Sequence, residues 1–352
     1  MIRVRIATWD DEEQLVGFLH DHWSSSHIFT KRPELFAWQH RQADGRLNMV
    51  LAEDDQRDEQ VIGVLGFIPM GRFDPALGDR DLMLAIWKVR DDGVPPGVGL
   101  RLLKFLQAEL QPRLIAAIGT SEMVRPIYRA LRYEVGALHH AALFHPGRQG
   151  RLTVADRVPD EAFAVSAAPS SSRVEMVPLG AVPPSEIDRI AATALPTKSA
   201  GYIADRFVDH PWYHYEVRVV VMDEEPLAIV VWRRVAAEDT VVLRVVDMIG
   251  PADWVPFAGE TLRSEVVAAD AEYLDVTQWG LDEDAFRSAG FVCRSDHPEM
   301  ILPNYFAPFE RRNVDVELAC RVFDGDGGPV RLFRADSDQD RPNQVDDIDA
   351  AR

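Results

Sequence analysis

The order of strand-like and helix-like patterns occurs twice along this chain, and this repeat limits the possible folds more than any other feature of the sequence. In each half, an alternating strand and an amphipathic helical region precede three longer strands, another helix, a strand, a short helix and a last strand. The segment FRSAGF at 286–291 aligns with YRALRY at 128–133. We therefore predict two domains that share one topology.

The chain is long enough for two hydrophobic cores. It has 352 residues, of which 47% are hydrophobic, and a single core stops growing before this length. The segment SAAPSSSR at 166–173 is rich in Ser, Ala and Pro and has no periodicity, which is typical of a linker. We predict a first domain at 1–150, a linker at 151–173, a second domain at 174–322 and an acidic, largely disordered tail at 323–352.

The charge of the chain excludes two classes of partner. Lys and Arg total 38 against 57 Asp and Glu, a formal net charge of −19. A field of this sign repels nucleic acid and anionic membranes, so an anionic ligand needs a local cluster of donors. The N-terminal residues lack the apolar core of a signal peptide, and no stretch approaches the ~20 apolar residues of a spanning helix. We expect a cytoplasmic protein with no nucleic-acid or membrane partner.

Neither the cysteines nor the aspartates predict a metal site. Cys293 and Cys320 lack metal-ligand spacing and are expected to be buried, small apolar residues. The aspartates of DSDQD at 336–340 alternate as in a cation loop, but no glycine and distal glutamate complete an EF-hand pattern. We predict no metal, and an ordered cap is an alternative for residues 336–343.

A strand, a glycine-containing turn and a helix between Leu82 and Leu110 predict an anion site. The turn VPPGVG at 94–99 comes directly before the helix LRLLKFLQAEL. Backbone N–H groups and the positive end of a helix dipole meet at such a point, which suits a pyrophosphate. Gly97 and Gly99 let the backbone approach phosphates without a Cβ in the way. An ordinary strand-to-helix turn is the alternative.

The residues of the first domain carry a resemblance to a known family. The turn at 94–99 resembles the Gln/Arg-x-x-Gly-x-Gly/Ala turn of the GNAT superfamily of acyl-CoA N-acyltransferases. Tyr128, in IYRALRY, matches a tyrosine that this family carries on the helix after its fifth strand. Val94 stands where Gln or Arg is usual in the family, and Arg132 stands where Gly is usual.

This resemblance implies a fold, a cosubstrate and a site. The fold would be α/β (α+β), with two tandem GNAT-like domains, each a mixed, mostly antiparallel sheet flanked by helices. The cosubstrate would be acetyl-CoA or another acyl-CoA, and Tyr128 would protonate the leaving thiolate. The residues implied to bind the cosubstrate are Trp87, Lys88, Val89, Gly97, Val98, Gly99 and Leu100.

A base that takes the proton from the attacking amine is not identified by the sequence. The candidates are the histidines on or near the first two helices, which are His20, His22, His27 and His40. A surface or internally bonded histidine is the alternative for each of them, and water is another path for the proton.

The second half lacks the catalytic features of the first. The segment after VVDMIG contains no Gly-x-Gly turn, and Phe286 occupies the position of Tyr128. A phenyl ring cannot protonate a thiolate. We predict a second domain that keeps the fold without the catalysis.

Two segments interleave basic and aromatic residues and are candidates for acceptor binding, at 27–41 and 198–217. The candidate residues are Trp38, His40, Arg41, Arg206 and Tyr213. The alternative is that these aromatic residues pack an interface between domains. Both segments are similar to stretches of bacterial N-acyltransferases of surface-polysaccharide pathways. That similarity implies an amino sugar linked to dTDP or UDP as the acceptor.

Two other functions stay open. The prolines of the turn favour a non-catalytic GNAT-like protein that binds CoA or a partner, because proline has no N–H to donate. The acidic composition favours an N-acetyltransferase of a protein or peptide amine. The sequence is compatible with a monomer and with a homodimer.

Overall fold

Two mixed sheets, each flanked by helices, organise the computed structural model, which describes residues 1–55, 60–164, 172–306, 309–325 and 328–341. The chain divides into two compact units. Within the described ranges, unit 1 contains residues 1–135, 318–325 and 337–341, and unit 2 contains residues 136–317 and 328–336. The predicted fold class, two tandem GNAT-like domains with mixed sheets, is confirmed.

The first elements follow the predicted order. The strands are β1 (Ile2–Thr8), β2 (Arg46–Asp54), β3 (Gln60–Pro69), β4 (Asp81–Val89), β5 (Leu114–Ile118), β6 (Glu134–Ala137) and β7 (His139–Phe144). The helices are α1 (Glu12–His22), α2 (Ile28–Lys31), α3 (Pro33–His40), α4 (Val98–Leu110) and α5 (Arg125–Ala130).

The later elements repeat that order. The strands are β8 (Val174–Pro178), β9 (Glu216–Met222), β10 (Glu225–Ala237), β11 (Thr240–Ile249), β12 (Tyr273–Trp279), β13 (Val292–Cys293), β14 (Glu317–Val322) and β15 (Leu332–Phe333). The helices are α6 (Pro184–Ala191), α7 (Ala200–Ile203), α8 (Gly259–Ala268) and α9 (Glu283–Ser288).

Both sheets have the same strand order, and in both the sixth place is taken by a strand from the other half of the sequence. The first sheet runs β1-β2-β3-β4-β5-β14-β6, and the second runs β8-β9-β10-β11-β12-β7-β13. The fourth and fifth strands of each sheet, β4 with β5 and β11 with β12, are parallel. The two halves therefore share one topology.

The exchange of sixth strands differs from the sequence-based prediction. VGALHHAALF was predicted to be one last strand of the first domain, but it forms β6 in the first sheet and β7 in the second. Unit 1 accordingly ends its first segment at residue 135 rather than 150, and regains residues 318–325, most of which lie in the predicted second domain. An apolar run does not reveal which of two sheets it joins, so the pattern could not show this exchange.

The spacing of apolar residues in α4 places the core of unit 1. Val98, Leu102, Leu103 and Leu106 are the buried residues of this helix. They recur on one face at helical period and pack in a single cluster with residues of β2 to β5 and with Tyr128. The core of unit 2 has a corresponding cluster that includes Leu262 of α8 and Phe286 of α9.

The two cysteines are free and buried, as expected. Burial raises the pKa of the Cys293 thiol to about 12 and that of the Cys320 thiol to about 11. Both therefore stay protonated at neutral pH and act as small apolar residues.

Part of the acidic tail is ordered, contrary to the prediction for 323–352. β15 pairs with β12, and Leu332 and Phe333 are 0% and 1% exposed. Asp336 accepts a hydrogen bond from the Phe333 backbone at 2.6 Å and pairs with the Lys198 ammonium at 2.8 Å. The aspartates of this segment predicted a solvated chain. In the structure, Lys198 pairs with Asp336 and Arg341 pairs with Asp338. Residues 342–352 lie outside the described residues.

No helix in the described ranges is long and apolar enough to cross a membrane.

Candidate active site

A bulge in β4 opens the centre of the first sheet. The register between β3 and β4 shifts by one residue at Ala85, so that Gly66 lies opposite Ile86 and Phe67 opposite Leu84. The parallel pairing of β4 with β5 covers residues 81–84 and stops at this bulge. A bulge redirects a strand and ends local pairing. Within the described ladders, residues 86–89 therefore pair with β3 alone and present their other edge without a strand partner.

The start of α4 supplies an anion-binding point beside this edge. Gly97 caps the helix with φ +88°, and the backbone N–H of Arg101 donates to the Gly97 carbonyl at 3.0 Å. Since this is the first helical hydrogen bond, the N–H groups of Val98, Gly99 and Leu100 have no helical acceptor. Apart from Gly97 and its two chain neighbours, no described residue has an atom within 4 Å of the position that a Cβ on Gly97 would take. Free amides and a helix dipole at an open glycine fit a diphosphate.

Gly99 allows α4 to approach β4 closely. A Cβ at Gly99 would lie 3.0 Å from Nε1 of Trp87 and 3.5 Å from a methyl group of Val89. A larger residue would have to displace the indole. The predicted cosubstrate residues on β4 and on α4 are therefore adjacent in unit 1. Lys88 points its ammonium to the Asp91 carboxylate, at 2.9 Å.

Tyr128 lies against the predicted cosubstrate site. Its ring packs edge-on against Trp87, with centroids 5.7 Å apart, and is tilted against Tyr133 at 5.0 Å. The side chain is nearly buried, at 2% exposure, and burial raises the pKa of Tyr128 far above its ordinary value. The phenol is therefore protonated at neutral pH.

The residue that departs from the family pattern after α5 has the conformation of a glycine. Arg132 has φ +62°, and the Tyr133 N–H donates to the Tyr128 carbonyl at 3.0 Å. In unit 2 the corresponding residue is Gly290, with φ +82°, and Phe291 donates to Phe286 at 3.0 Å. This turn ends the helix in the same way in both units. An arginine at this position therefore keeps the backbone geometry of the turn, but its side chain makes the positive φ less favourable than it is for glycine.

The four candidate histidines differ in burial. His20 is exposed and lies 2.8 Å from the Asp21 carboxylate, and His22 packs on Phe18 with ring centroids 4.9 Å apart. Burial lowers the pKa of His27 to about 4 and that of His40 to about 3. His40 is fully buried between Phe29 and Phe36, at centroid distances of 5.5 and 5.0 Å.

A histidine with a pKa near 3 remains neutral at pH 7 but binds a proton weakly. This geometry makes His40 a packing residue of α3 and a poor acceptor for the proton of an amine.

Residues 337–341, for which the sequence analysis left a disordered tail and an ordered cap as alternatives, belong to unit 1. Arg341 donates to Oε1 of Gln39 at 2.7 Å and to the Asp338 carboxylate at 3.1 Å, and its guanidinium lies 5.1 Å from the Phe29 ring centroid. At the end of β5, the side chain of Gln339 lies about 3.0 Å from the position of a Cβ on Gly119. The signal available in the sequence was the pair Leu332-Phe333 and the arginines among the aspartates.

The remaining acceptor candidates in unit 1 are partly engaged. Arg41 is 44% exposed at its side chain, pairs with the Glu12 carboxylate at 2.7 Å and lies 5.2 Å from the Trp9 ring centroid. Trp38 is half-buried and packs on Phe73, with centroids 5.3 Å apart.

The candidates in unit 2 belong to a packed interior. Arg206 is 3% exposed, donates to the Ala335 carbonyl at 3.3 Å and lies 5.1 Å from the Phe207 ring centroid. Tyr213 is also 3% exposed, and the Arg233 guanidinium lies 4.5 Å from its ring centroid. Alternation of basic and aromatic residues here produces internal cation–π packing. Their predicted role in acceptor binding stays a prediction.

Unit 2 has the same bulge, but its own chain fills the space. The register of β10 and β11 shifts at Val246, and parallel pairing of β11 with β12 covers only residues 243–245. Beyond this point β15 pairs with β12 at residues 278 and 279. Because β7 pairs along the other edge of β12, β15 lies on the edge that faces β11.

No metal centre accompanies these features. The described residues contain no group of three or more His, Cys, Asp or Glu side chains that could hold a metal ion.

Comparisons with known proteins support the fold. No protein-family model and no curated protein sequence matches the chain. A GCN5-related N-acetyltransferase from Anabaena variabilis ATCC 29413 matches with a TM-score of 0.56 and 12% identity, over 92% of this chain and 73% of that chain. A protein of Enterococcus faecalis V583, described as of unknown function and a probable N-acyltransferase, matches with a TM-score of 0.52 and 11% identity, over the same shares of 92% and 73%. At these identities the similarity establishes the fold.

Proposed function

We propose that this chain is an acyl-CoA-dependent N-acyltransferase whose cosubstrate binds to unit 1. The observation that carries the proposal is the unpaired edge of β4 beyond Ala85, next to the free amides at the start of α4 and to the Trp87–Tyr128 pair. The fold shared with a GCN5-related N-acetyltransferase supports it.

The residues of unit 1 suit the parts of the cosubstrate. The N–H groups of Val98, Gly99 and Leu100 hold the diphosphate, since Pro95 and Pro96 have none to donate. Backbone groups of residues 85–89 receive the amides of the pantetheine arm as an additional strand would. When bound, acyl-CoA supplies an acyl group activated as a thioester. Acetyl is the proposed acyl group.

The amine of the acceptor attacks the thioester carbonyl in its neutral form. A C–N bond forms, the C–S bond breaks, and the sulfur leaves as a thiolate. Tyr128 donates a hydrogen bond to that sulfur as its negative charge develops. Burial raises the pKa of Tyr128 far above its ordinary value, so the phenol keeps its hydrogen and is available as a donor to the sulfur. The proton released by the amine, through water, completes the thiol.

The proposed acceptor is the amine of a nucleotide-linked amino sugar. In unit 1, Arg41 supports this class as a cation whose side chain is 44% exposed, in a chain whose net charge is −19. Arg206 gives it less support because its guanidinium is buried within unit 2. A protein or peptide amine is the second acceptor class, which the acidic composition favours.

The test is a titration followed by an assay. Acetyl-CoA is titrated calorimetrically into the chain, and release of free thiol is then measured with dTDP- and UDP-amino sugars and with a lysine peptide. We expect one CoA site per chain and thiol release with one acceptor class. Absence of CoA binding, with and without the acceptors, would contradict the proposal and favour a binding protein that has lost the cosubstrate site.

A further inference from the structure

Unit 2 contains a cavity of about 610 Å³ that is separate from the acyl-CoA site proposed in unit 1. Its walls come from the start of β7, the end of β12, the start of α9 and the segments 294–298 and 313–315. This volume lies within the usual range of small-molecule sites. The lining includes His139, His140, Trp279, Glu283, Arg294 and Asp315.

We propose that this cavity binds a small organic cation, a primary ammonium group carried on an aromatic or other flat body. Two independent features of the lining support this proposal, a flat aromatic wall and the local charge. The proposal does not depend on acyl transfer in unit 1.

The flat wall is formed by two stacked rings. His139 lies on Trp279 with ring centroids 6.0 Å apart and planes inclined by 26°. The backbone of Gly136 supports the indole from nearby, since a Cβ there would lie 2.6 Å from Cζ3 of Trp279. The His139 side chain is 44% exposed. A fixed aromatic surface of this kind accepts a stacked ring or a cation over its face.

The charge around the cavity is negative. Glu283 and Asp315 line it, and Asp284 and Asp296 lie in the same ion-pair network. The cations of this network are Arg287, which contacts three of these carboxylates, and Arg294, which pairs with Asp315. On the lining itself, the two carboxylates of Glu283 and Asp315 stand against the one guanidinium group of Arg294, which favours a cationic ligand over an anionic one.

The experiment uses three ligands with one ring and different charges. Tryptamine is a cation, tryptophol is its neutral alcohol and indole-3-acetate is an anion. Each is titrated calorimetrically into the full chain at pH 7. We expect one tryptamine per chain, tryptophol bound at least ~10-fold more weakly, and no binding of indole-3-acetate. Equal affinity for the three ligands, or no binding of tryptamine, overturns the proposal.

Variants then locate the ligand. Glu283→Gln keeps the shape of the side chain and removes its charge, so tryptamine affinity is expected to fall about 10-fold. Glu186→Gln is the matched control, because Glu186 is an exposed ion-paired glutamate on α6 that does not line the cavity. Unchanged tryptamine affinity in Glu283→Gln means that the ligand lies elsewhere and overturns the proposal.

A second readout covers the case in which Glu283→Gln is unstable. In wild-type protein labelled with ¹⁵N-histidine, tryptamine is expected to move the ring nitrogen resonances of His139, since a ligand ring and its charge come to lie beside that exposed ring. His139 resonances that do not move at saturating tryptamine overturn the proposal even if binding is measured.

Discussion

Units 1 and 2 share a bulge in the fourth strand and differ in how the edge beyond that bulge is occupied. In both, parallel pairing of the fourth and fifth strands stops at the bulge, at Ala85 in β4 and at Val246 in β11. In unit 1 no described strand occupies the edge beyond it, whereas in unit 2 β15 pairs with the end of β12. The bulge is thus part of the fold, and the later chain decides whether a cleft remains.

The two units also differ at the following helix. α4 begins after Gly97, which has φ +88°, while α8 begins after Ala258, which has φ −89° and ends a short 3₁₀ segment at Val255–Phe257. Phe286 packs at the position of Tyr128 and lacks the hydroxyl group. Unit 2 keeps the geometry that holds the sheet together and has neither the glycine turn nor the phenol.

The largest expected effect is on the segment that fills unit 2. Phe333 is 1% exposed in the core of unit 2, so Phe333→Ala should lower the free energy of unfolding by ~3–5 kcal/mol, measured by urea denaturation. Tyr305→Ala is the control, since this ring is 42% exposed, and should change stability by less than ~0.5 kcal/mol. We expect CoA stoichiometry to stay at one per chain. A second CoA site in Phe333→Ala would mean that β15 alone prevents unit 2 from binding CoA.

The next effect concerns the aligned aromatic residues. Tyr128→Phe should lower kcat about 10²-fold with little change in the KM for acyl-CoA, because the hydrogen bond to sulfur forms as the C–S bond breaks. Phe286→Tyr should leave kcat unchanged. Steady-state kinetics with saturating acceptor measures both. An unchanged kcat in Tyr128→Phe would restrict this tyrosine to packing.

The buried histidines of the two units should respond differently to acid. Burial lowers the pKa of His40 to about 3, and the charges of Arg341 and Arg72 act in the same direction, whereas Asp275 opposes the effect of burial at His140. A folded pKa below the unfolded value of about 6.5 stabilises the native state above pH 6.5, and this contribution is lost as pH falls toward 3. The loss is about 1.4 kcal/mol per pH unit for one proton.

Urea denaturation between pH 4 and pH 7 tests this comparison. His40→Gln should reduce the slope of the free energy of unfolding against pH by an amount that corresponds to nearly one proton. His140→Gln should reduce this slope less. His20→Gln, at an exposed position, is the control and should leave the slope as it is. Equal slopes in wild type and His40→Gln would contradict the assignment of His40 as a neutral, buried residue.

The smallest effect compares the turns after α5 and α9. Arg132 has φ +62° where unit 2 has Gly290 with φ +82°. Arg132→Gly should raise the free energy of unfolding by ~0.5–1 kcal/mol, and Gly290→Ala should lower it by about 1 kcal/mol or more. Thermal or urea unfolding resolves both changes. A destabilised Arg132→Gly would show that contacts of the arginine outweigh its backbone conformation.

Local patterns predicted the features that depend on local structure. The element order, the buried face of α4 and the alignment of Tyr128 with Phe286 follow from hydrophobic period and residue spacing. The exchange of β7 and β14 could not be predicted, since it depends on which sheet an apolar strand joins. The prediction of a largely disordered tail was wrong for residues 332–341, where the alternative of an ordered cap fits better. Their aspartates pair with Lys198, Gln39 and Arg341, and no local pattern identifies these partners.

The candidate site was predicted in part for the same reason. Trp87, Gly99 and Tyr128 lie together because one strand, one turn and one helix position them. The placement of residues 337–341 against α3 depends on Gln39, which Asp338 and Arg341 contact from 299 and 302 positions away in the chain. No periodicity links segments at that separation.

The exchanged strands also set a limit on when unit 1 can be complete during synthesis. Its sheet needs β14, so residue 322 must emerge from the ribosome before the strand between β5 and β6 can be added. Until then the edge of β5 is exposed on a nascent chain, which is a known hazard for pairing with other chains. A fragment of residues 1–150 lacks β14, so the edge of β5 would stay exposed. Neither half of the sequence therefore contains all the strands of one sheet.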